Sequence, residues 1–299
     1  MKQISKDHHI TVMSPGNKAV DQVESGSTVI FETYDCFTNQ ITREEQASSS
    51  VDRAKINPAT GPLFIEGANP GDTLKVEILD IHIADQGVMA ISPIRGALAG
   101  TIKEEKTKII PIENGEAVFN DTLRLSINPM IGVIGTAPEG EDIPTSTPST
   151  HGGNMDCKRM VKGATLYLPV NVAGGLLAMG DVHAVMGDGE IVICGLEIPA
   201  EVTVRVTVLK GQSLPLPMLA DDERVMTIAS ADTLDEASNK AIKNMHTFLA
   251  EEVKMDFHEA AMFLSVGADL KVCQIVNPQK TARMELPRWV LQKHGYALE

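Results

Sequence analysis

The segment Glu201-Val-Thr-Val-Arg-Val-Thr-Val-Leu209 decides the class of fold, because apolar and polar side chains alternate along it. A period of two places the apolar side chains on one face of a β-strand. Similar patterns or short apolar runs occur at Thr28–Tyr34, Leu74–Leu79 and Thr122–Ile127. Gly, Pro and Asn separate these segments at the intervals typical of a sandwich or barrel. We therefore predict a mainly β fold in which residues 1–219 form a jelly-roll-like β-sandwich body.

The pattern changes beyond residue 219. The segment Thr233-Leu-Asp-Glu236 matches a capping box, in which the Thr and Glu side chains each bind a backbone N–H group of the other residue. Apolar residues then recur at helical spacing, and a second helix is predicted over residues 256–267, followed by a strand over Leu270–Val276. We expect residues 220–299 to form an α/β portion that packs on the body.

Charge and composition limit the partners of the protein. The chain has 40 acidic and 26 basic residues, which gives a formal net charge of -14. Such a surface repels phosphate backbones and anionic lipids, so we expect no nucleic acid and no membrane as partners. An acidic surplus also suits a protein that binds divalent cations, although a solvated acidic surface is the commoner reason for it.

The four cysteines favour a reducing compartment. Cys36, Cys157, Cys194 and Cys273 are far apart in sequence and form no C-x-x-C pair. A chain of this length does not need disulfides for stability. The polar first residues also lack the apolar core of a secretory signal. We therefore expect reduced thiols and a cytoplasmic location.

The densest group of potential ligands lies between Gly180 and Glu190. If this segment begins as a strand, Asp181 and His183 project to the same face, because side chains alternate along a strand. A carboxylate oxygen beside an imidazole nitrogen is half of a metal site. The spacing therefore favours a metal ligand pair at these two residues.

The same segment contains the pattern of a tight hairpin. Gly187 and Gly189 flank Asp188, and we expect the chain to return through Glu190 into a strand over Ile191–Cys194. Ordinary β-proteins also have Asp-Gly hairpins with charged neighbours. Asp188 alone is therefore interpreted as a turn residue rather than a ligand.

A second group of candidates runs from His151 to Asp156. Gly152 and Gly153 provide flexible backbone whose N–H groups can face an oxyanion. His151, Asn154 and Asp156 offer groups that bind metals or form hydrogen bonds. The alternative is a loop in which Asn154 and Asp156 only cap their own turn.

Several motifs together resemble the acetamidase/formamidase family. They occur in order through most of the chain, so that the set is more specific than any single motif. These motifs are Asn57-Pro-Ala-Thr-Gly-Pro62, Glu66-Gly67, Pro70-Gly-Asp72, Pro129-Met-Ile-Gly-Val-Ile-Gly135, His151-Gly-Gly-Asn-Met-Asp156, Gly180-Asp-Val-His-Ala184 and Gly187-Asp-Gly-Glu190.

The resemblance implies an enzyme that hydrolyses formamide, acetamide or a similar short amide to a carboxylate and ammonium. It also implies a β-sandwich with an α/β portion and assembly into a homodimer or a higher homo-oligomer. A divalent metal is the implied cofactor. The residues that match the motifs and are predicted to bind it are His151, Asp156, Asp181, His183 and Glu190.

Roles in catalysis follow from the same motifs. Glu190 is the predicted general base, and Asp181 and Asn154 are the other predicted catalytic residues. The backbone N–H groups of Gly152 and Gly153 are the predicted oxyanion donors. Imidazole ligands make zinc the favoured metal, whereas the carboxylates also suit calcium or magnesium.

Two other functions remain open at the level of sequence. Cys157 or Cys36 can act as the nucleophile of a metal-independent amidase if a base lies close enough to form the thiolate. A protein that binds a cation or an amide without turning it over is the second alternative. Buried, unreactive thiols are the more common state of such cysteines.

Overall fold

The computed structural model describes residues 1–298 of the chain. Most of its regular structure is β, which confirms the mainly β prediction. The strands are β1 (Lys2–Ile4), β2 (His9–Ile10), β3 (Val12–Met13), β4 (Asp21–Val23), β5 (Thr28–Thr33), β6 (Ala59–Ile65), β7 (Thr73–Ile83), β8 (Gln86–Ile91), β9 (Lys106–Glu113), β10 (Glu116–Val118), β11 (Arg124–Ser126), β12 (Met130–Gly135), β13 (Ile143–Pro144), β14 (Gly152–Asn154), β15 (Thr165–Pro169), β16 (Leu177–His183), β17 (Ala200–Leu209), β18 (Met218–Ala220), β19 (Arg224–Ala231), β20 (Asp269–Gln274) and β21 (Lys280–Pro287). The α-helices are α1 (Leu234–Thr247), α2 (Phe257–Gly267) and α3 (Trp289–Lys293), and a π-helical turn (Phe248–Glu252) follows α1.

The largest sheet has nine strands in the order β1-β5-β17-β7-β15-β18-β19-β21-β20. Its long strand β17 has the alternation that the sequence predicts, with Val202, Val204 and Val206 buried and Glu201 and Arg205 exposed. β17 pairs with β7 through nearly its whole length. This pairing forms the centre of the N-terminal half of the sheet.

The C-terminal strands continue this sheet. β18 spans the predicted boundary at residues 219 and 220, and it pairs with β15 on one side and β19 on the other. Both faces of β19 are buried, because Val225 packs with the helices and Met226 packs in the cluster of the body. The division into residues 1–219 and 220–299 remains a prediction, although one sheet runs through both parts.

The helices cover the C-terminal half of the sheet. The capping box before α1 forms as predicted, with Thr233 and Glu236 exchanging hydrogen bonds. Asp256 caps α2, which ends at Gly267 as predicted. Ala241, Met245 and the π-helical turn pack on the sheet. None of the helices within residues 1–298 is both long and apolar enough to cross a membrane.

The sheet that positions the site has the strand order β14-β12-β16-β6-β2, with β4 also pairing with β6. β12 and β16 are buried at every residue. Ile131 and Leu177 from this sheet share one hydrophobic cluster with Val204 of the nine-stranded sheet. The two sheets therefore bury a common core, and the jelly-roll arrangement remains a prediction.

The predicted hairpin after β16 is wrong in its second half. Residues 191–194 form turns rather than a return strand. The reason is a different backbone pairing, since Gly189 forms a parallel bridge with Gln274, the last residue of β20. The chain at Glu190 then turns with a φ of 49° instead of extending.

Gly132 in β12 allows the strand to lie against two site residues. A Cβ atom at this position would lie 2.5 Å from Oδ1 of Asp156, and 2.7 Å from the backbone oxygen and 2.8 Å from Oδ2 of Asp181. Real Cβ atoms do not approach other atoms so closely. The absence of a side chain at Gly132 is thus a requirement for the two aspartates to occupy their positions.

We expect Gly132→Ala to lower the free energy of unfolding by about 1–3 kcal/mol, since an added methyl group in a packed interior costs this much. Equilibrium unfolding in urea, followed by circular dichroism, measures the change. Gly187→Ala is the matched control, because a Cβ atom there meets nothing within 4 Å. The control should differ from wild type by less than about 0.5 kcal/mol. Equal stability of both variants would show that β12 can shift at no cost.

Candidate active site

Strand β16 brings two of the predicted ligands together at its C-terminal end. The Nε2 atom of His183 lies 3.6 Å from Oδ1 of Asp181, and both side chains are buried. Their spacing of two residues places them side by side, as the sequence predicts. A second carboxylate, that of Glu197, lies 3.2 Å from the same Nε2 atom through its Oε1 atom.

These residues belong to two adjacent groups of possible metal ligands. Ligand atoms of Asp156, His183 and Glu190 lie within 4.8 Å of one another. Ligand atoms of Cys36, Asp181 and Glu197 form the second group within the same distance, and every member of both groups is buried. The contacts of His183 with Asp181 and Glu197 connect the two groups into one polar centre.

Asparagine side chains hold the aspartates of this centre. Asn277 donates a hydrogen bond of 2.6 Å from Nδ2 to Oδ2 of Asp156, and Asn57 donates one of 3.3 Å to Oδ2 of Asp181. The amide orientation of Asn154 that satisfies its neighbours points its nitrogen at both carboxylates, 2.9 Å from Asp156 and 3.1 Å from Asp181. Each of these donors is neutral, so the hydrogen bonds fix the carboxylates without cancelling their charge.

The negative charge of the centre exceeds what its neighbours neutralise. Burial, together with the charge of Asp181, raises the pKa of Asp156 to about 6 and that of Glu197 to about 7. Burial also raises the pKa of Glu190 well above its usual range. Burial lowers the pKa of His183, but Glu197 and Asp181 outweigh this effect and hold it well above the ordinary value. One imidazolium cannot balance all these carboxylates, so the site attracts protons or cations.

Several ligand atoms of the centre have no partner. Within residues 1–298, no hydrogen bond reaches Oδ1 of Asp181, Oε2 of Glu190, Oε2 of Glu197 or Nδ1 of His183. A buried polar atom without a partner costs about 1–3 kcal/mol, and more when it is charged. The residues therefore fit a bound metal cation, which would coordinate oxygen and nitrogen atoms of this kind.

The backbone is strained at the same positions. Asn57, Asp156, Asp181 and Glu190 have φ values of 51°, 42°, 55° and 49°, in the left-handed region that favours glycine. Such conformations cost on the order of 1–3 kcal/mol each and cluster at functional sites. Their concentration here indicates that the fold holds these side chains in place at the expense of stability.

Asp188 has a structural role, in agreement with its interpretation as a turn residue. The buried guanidinium of Arg283 binds both of its oxygens, at 2.8 and 3.0 Å, and Lys158 lies 3.1 Å from Oδ2. Arg283 also donates to Glu285 at 2.7 Å. These contacts fasten the turn that contains Glu190 to strand β21.

His151 belongs to neither of the two ligand groups. Its ring is buried, neither nitrogen forms a hydrogen bond with the part of the chain described, and burial lowers its pKa to about 4. The N–H group of Gly152 donates to the carbonyl oxygen of Ser149 at 3.2 Å, so this predicted oxyanion donor is already engaged. Gly153 pairs with Ile134 across the sheet.

A cavity of about 580 Å³ opens onto the polar centre. It is lined by Asn154, Asp181, Glu190 and Glu197, together with Cys36 and Cys194. Neither Gly152, Gly153 nor His151 is among the described residues that line it. The cavity therefore gives a small molecule access to members of both ligand groups.

The two cysteines considered as nucleophiles differ in position. The Cys36 thiol lines the cavity, but burial and the charges of Glu197 and Asp181 raise its pKa well above the ordinary value. Cys157 is not among the described residues lining the cavity, and a hydrogen bond with Cys273 lowers its pKa. Neither residue combines access to a substrate with a readily formed thiolate.

Glu197 and Asn277 are site residues that the sequence analysis misses. Glu197 is a single charged residue in the apolar run Cys194–Ile198, and a carboxylate in such a run is a signal of a buried polar site. Asn277 carries no comparable signal, since Asn-Pro at the end of a strand is an ordinary turn. Only the path of the chain after β20 brings it to Asp156.

Comparison with known proteins agrees with this geometry. The family model described as Acetamidase/Formamidase family matches residues 6–144 and 139–288. A crystal structure of acetamidase from Bacillus halodurans is similar over 98% of this chain and 99% of its own, with 52% identity and a TM-score of 0.97.

Two curated relatives are more distant. A formamidase of Methylophilus methylotrophus is 27% identical over 255 residues, and an acetamidase of Mycolicibacterium smegmatis is 26% identical over 263 residues. Each alignment covers 66% of this chain, and it spans 63% of the formamidase and 65% of the acetamidase. Because the family model matches nearly the whole of the sequence and includes every residue of both ligand groups, the chain belongs to the acetamidase/formamidase family.

Proposed function

We propose that the protein hydrolyses short-chain amides to a carboxylate and ammonium, with a divalent metal as cofactor. The observation that carries this proposal is the pair of buried ligand groups, Asp156, His183, Glu190 and Cys36, Asp181, Glu197, at one cavity. Relatives named formamidase and acetamidase support amides as the substrate class. The metal-independent alternative leaves the unpartnered ligand atoms without a purpose, whereas a non-catalytic cation-binding protein would also use them and differs by releasing no ammonia.

The donors favour zinc over harder cations. His183 and Cys36 offer a nitrogen and a sulfur atom, which zinc binds more readily than calcium or magnesium does. The remaining donors are carboxylate oxygens, so calcium or magnesium also fits part of the site. When bound, such a cation would lower the pKa of water and polarise the amide carbonyl group.

Glu190 is the proposed general base. It lines the cavity, and one of its oxygens has no partner within residues 1–298. Burial and the charge of Asp156 raise its pKa, which makes its carboxylate a stronger base towards a proton of water. The same carboxyl group then donates that proton to the nitrogen, because an unprotonated amide ion is a very poor leaving group.

Asp181 and Asn154 are proposed to complete the site. Asp181 is fixed by Asn57 through one oxygen, and its other oxygen is free to bind a ligand. Asn154 stands between Asp156 and Asp181 and sets the distance between the two ligand groups. Gly152 is not part of the proposed mechanism, because its N–H group already donates a hydrogen bond to Ser149. His151 remains a predicted ligand, although neither ligand group contains it. A homo-oligomeric state and a cytoplasmic location also remain predictions.

Purified protein is expected to release ammonia from acetamide, formamide or propionamide and to lose this activity after exhaustive chelation. Addition of zinc, manganese or calcium should restore it for at least one metal, because the carboxylates then regain their counter-charge. Ammonia release is measured with each amide before and after chelation and after metal return.

A thiol reagent applied to the metal-loaded protein is the control for the cysteine mechanism. Activity that survives complete metal removal but is abolished by the thiol reagent would overturn the proposal in favour of Cys36 or Cys157. Thermal stabilisation by an amide or a cation without release of ammonia would instead indicate a binding protein that is not an enzyme.

Glu190→Gln is expected to lower kcat for the best amide by about 10²–10⁴-fold, since general acid–base catalysis contributes this much. Steady-state kinetics, together with the metal content of the purified variant, measure the effect. Glu201→Gln on the exposed face of β17 is the matched control and should keep full activity. A Glu190→Gln variant within about tenfold of wild type would assign the base to another carboxylate, with Glu197 the first to test.

A further inference from the structure

The cavity holds positive charge as well as the carboxylates. Arg53, Arg95 and Lys280 line the same cavity as Asp181 and Glu190. Its volume of about 580 Å³ is far more than a short-chain amide fills, because cavities of roughly 300–1,000 Å³ hold drug-sized ligands. The substrate therefore has room for a second functional group beyond its amide.

The cations of the cavity do not pair with the carboxylates of the polar centre. Within residues 1–298, Arg95 forms no hydrogen bond and no ion pair. Arg53 is exposed and likewise has no such bond to the described residues, whereas Lys280 donates to the backbone oxygen of Asn277 at 2.6 Å. Guanidinium groups and carboxylates that line one cavity without pairing with each other can bind different parts of one ligand.

The backbone around Arg95 is fixed against the turn that follows Glu190. The N–H group of Ala97 donates to the carbonyl oxygen of Ile191 at 2.7 Å, and Gly96 packs so closely on Val192 that a Cβ atom would lie 2.8 Å from it. Arg95 itself is half-buried. Its position next to the polar centre is therefore set by the fold and does not depend on a free loop.

We propose that the preferred substrate is an amide that carries a carboxylate at its other end, and that Arg95 binds this carboxylate. This inference rests on the proposed amide hydrolysis. A guanidinium group matches the two oxygens of a carboxylate and forms charge-assisted hydrogen bonds with them. Arg53 and Lys280 add positive charge at the same cavity. With a net charge of -14 the protein repels anions at long range, so that an anionic substrate requires local cations of this kind.

The reaction with such a substrate is balanced by water alone. Water adds its oxygen to the amide carbon, the C–N bond breaks, and ammonia leaves with a proton as ammonium. The product is a dicarboxylate, for example succinate from succinamate. Ammonium and a dianion are then released from the cavity.

Succinamate and butyramide test the inference, because the two amides have the same length and differ in the terminal carboxylate. The metal-loaded wild-type protein is expected to have a kcat/KM for succinamate at least about tenfold higher than for butyramide, the scale of one hydrogen bond to a charged group. Arg95→Gln should lower the ratio of the two kcat/KM values by at least about tenfold, and Arg95→Lys should lower it less, since the charge stays but the planar fork is lost. Arg124→Gln is the matched control, since Arg124 is exposed, pairs with Glu113 and is not among the described residues lining the cavity.

Equal kcat/KM values for the two amides in wild type, or a ratio that Arg95→Gln does not change, would overturn the inference while amide hydrolysis stands. If neither amide is hydrolysed, ammonia release from acetamide, formamide and propionamide decides the proposed function, and calorimetric titration of the metal-loaded protein decides the inference separately. Preferential binding of succinamate that is lost in Arg95→Gln would support a carboxylate site at Arg95. Absence of that preference would overturn it.

Discussion

The burial of carboxylates around His183 is the constraint on which the rest of the structure depends. Asp156, Asp181, Glu190 and Glu197 are withdrawn from water, and the only charge among them that opposes theirs is an imidazole. Neutral asparagine donors orient these groups but leave their charge in place. The folded chain therefore holds a region of strong negative potential that is stable only with bound protons or cations.

The strands around the site compensate for this unfavourable arrangement. A side chain at Gly132 would collide with Asp156 and Asp181. A side chain at Gly180 in β16 would collide with the backbone oxygen of Pro58. The buried contacts of Arg283 fasten the turn before Glu190 to β21. Because β21 belongs to the nine-stranded sheet, the large sheet supports the position of Glu190 near His183, which belongs to the smaller sheet. Stability from two packed sheets offsets the strain that the left-handed residues of the site introduce.

The sequence predicts the parts of this structure that depend on local order. The alternation in Glu201–Leu209 predicts β17, and the capping box at Thr233 predicts the start of α1, since both signals lie within a few neighbouring residues. Asp181 and His183 are predicted as neighbours for the same reason, because a single strand contains both of them. Sequence patterns therefore predict the relative positions of residues that lie within a single element of secondary structure.

Contacts between segments that are distant in the sequence cannot be predicted from local sequence patterns. The strand predicted over Ile191–Cys194 fails because Gly189 pairs with a residue far along the chain, Gln274, and no local pattern records that pairing. Asn277 reaches Asp156 by the same path. His151 shows the converse case, since its place beside Gly152 in the sequence suggests a ligand although neither ligand group contains it.

The distribution of charge also bears on the choice between a metal and a cysteine as the reactive group. A thiolate at Cys36 would add one more negative charge to a set of carboxylates that is already short of positive charge, and burial and Glu197 accordingly raise the pKa of this thiol. A cation at the same place lowers the energy of every neighbouring carboxylate and favours the thiolate as a ligand. The electrostatics that disfavour a cysteine nucleophile are therefore the same as those that support the proposed metal cofactor.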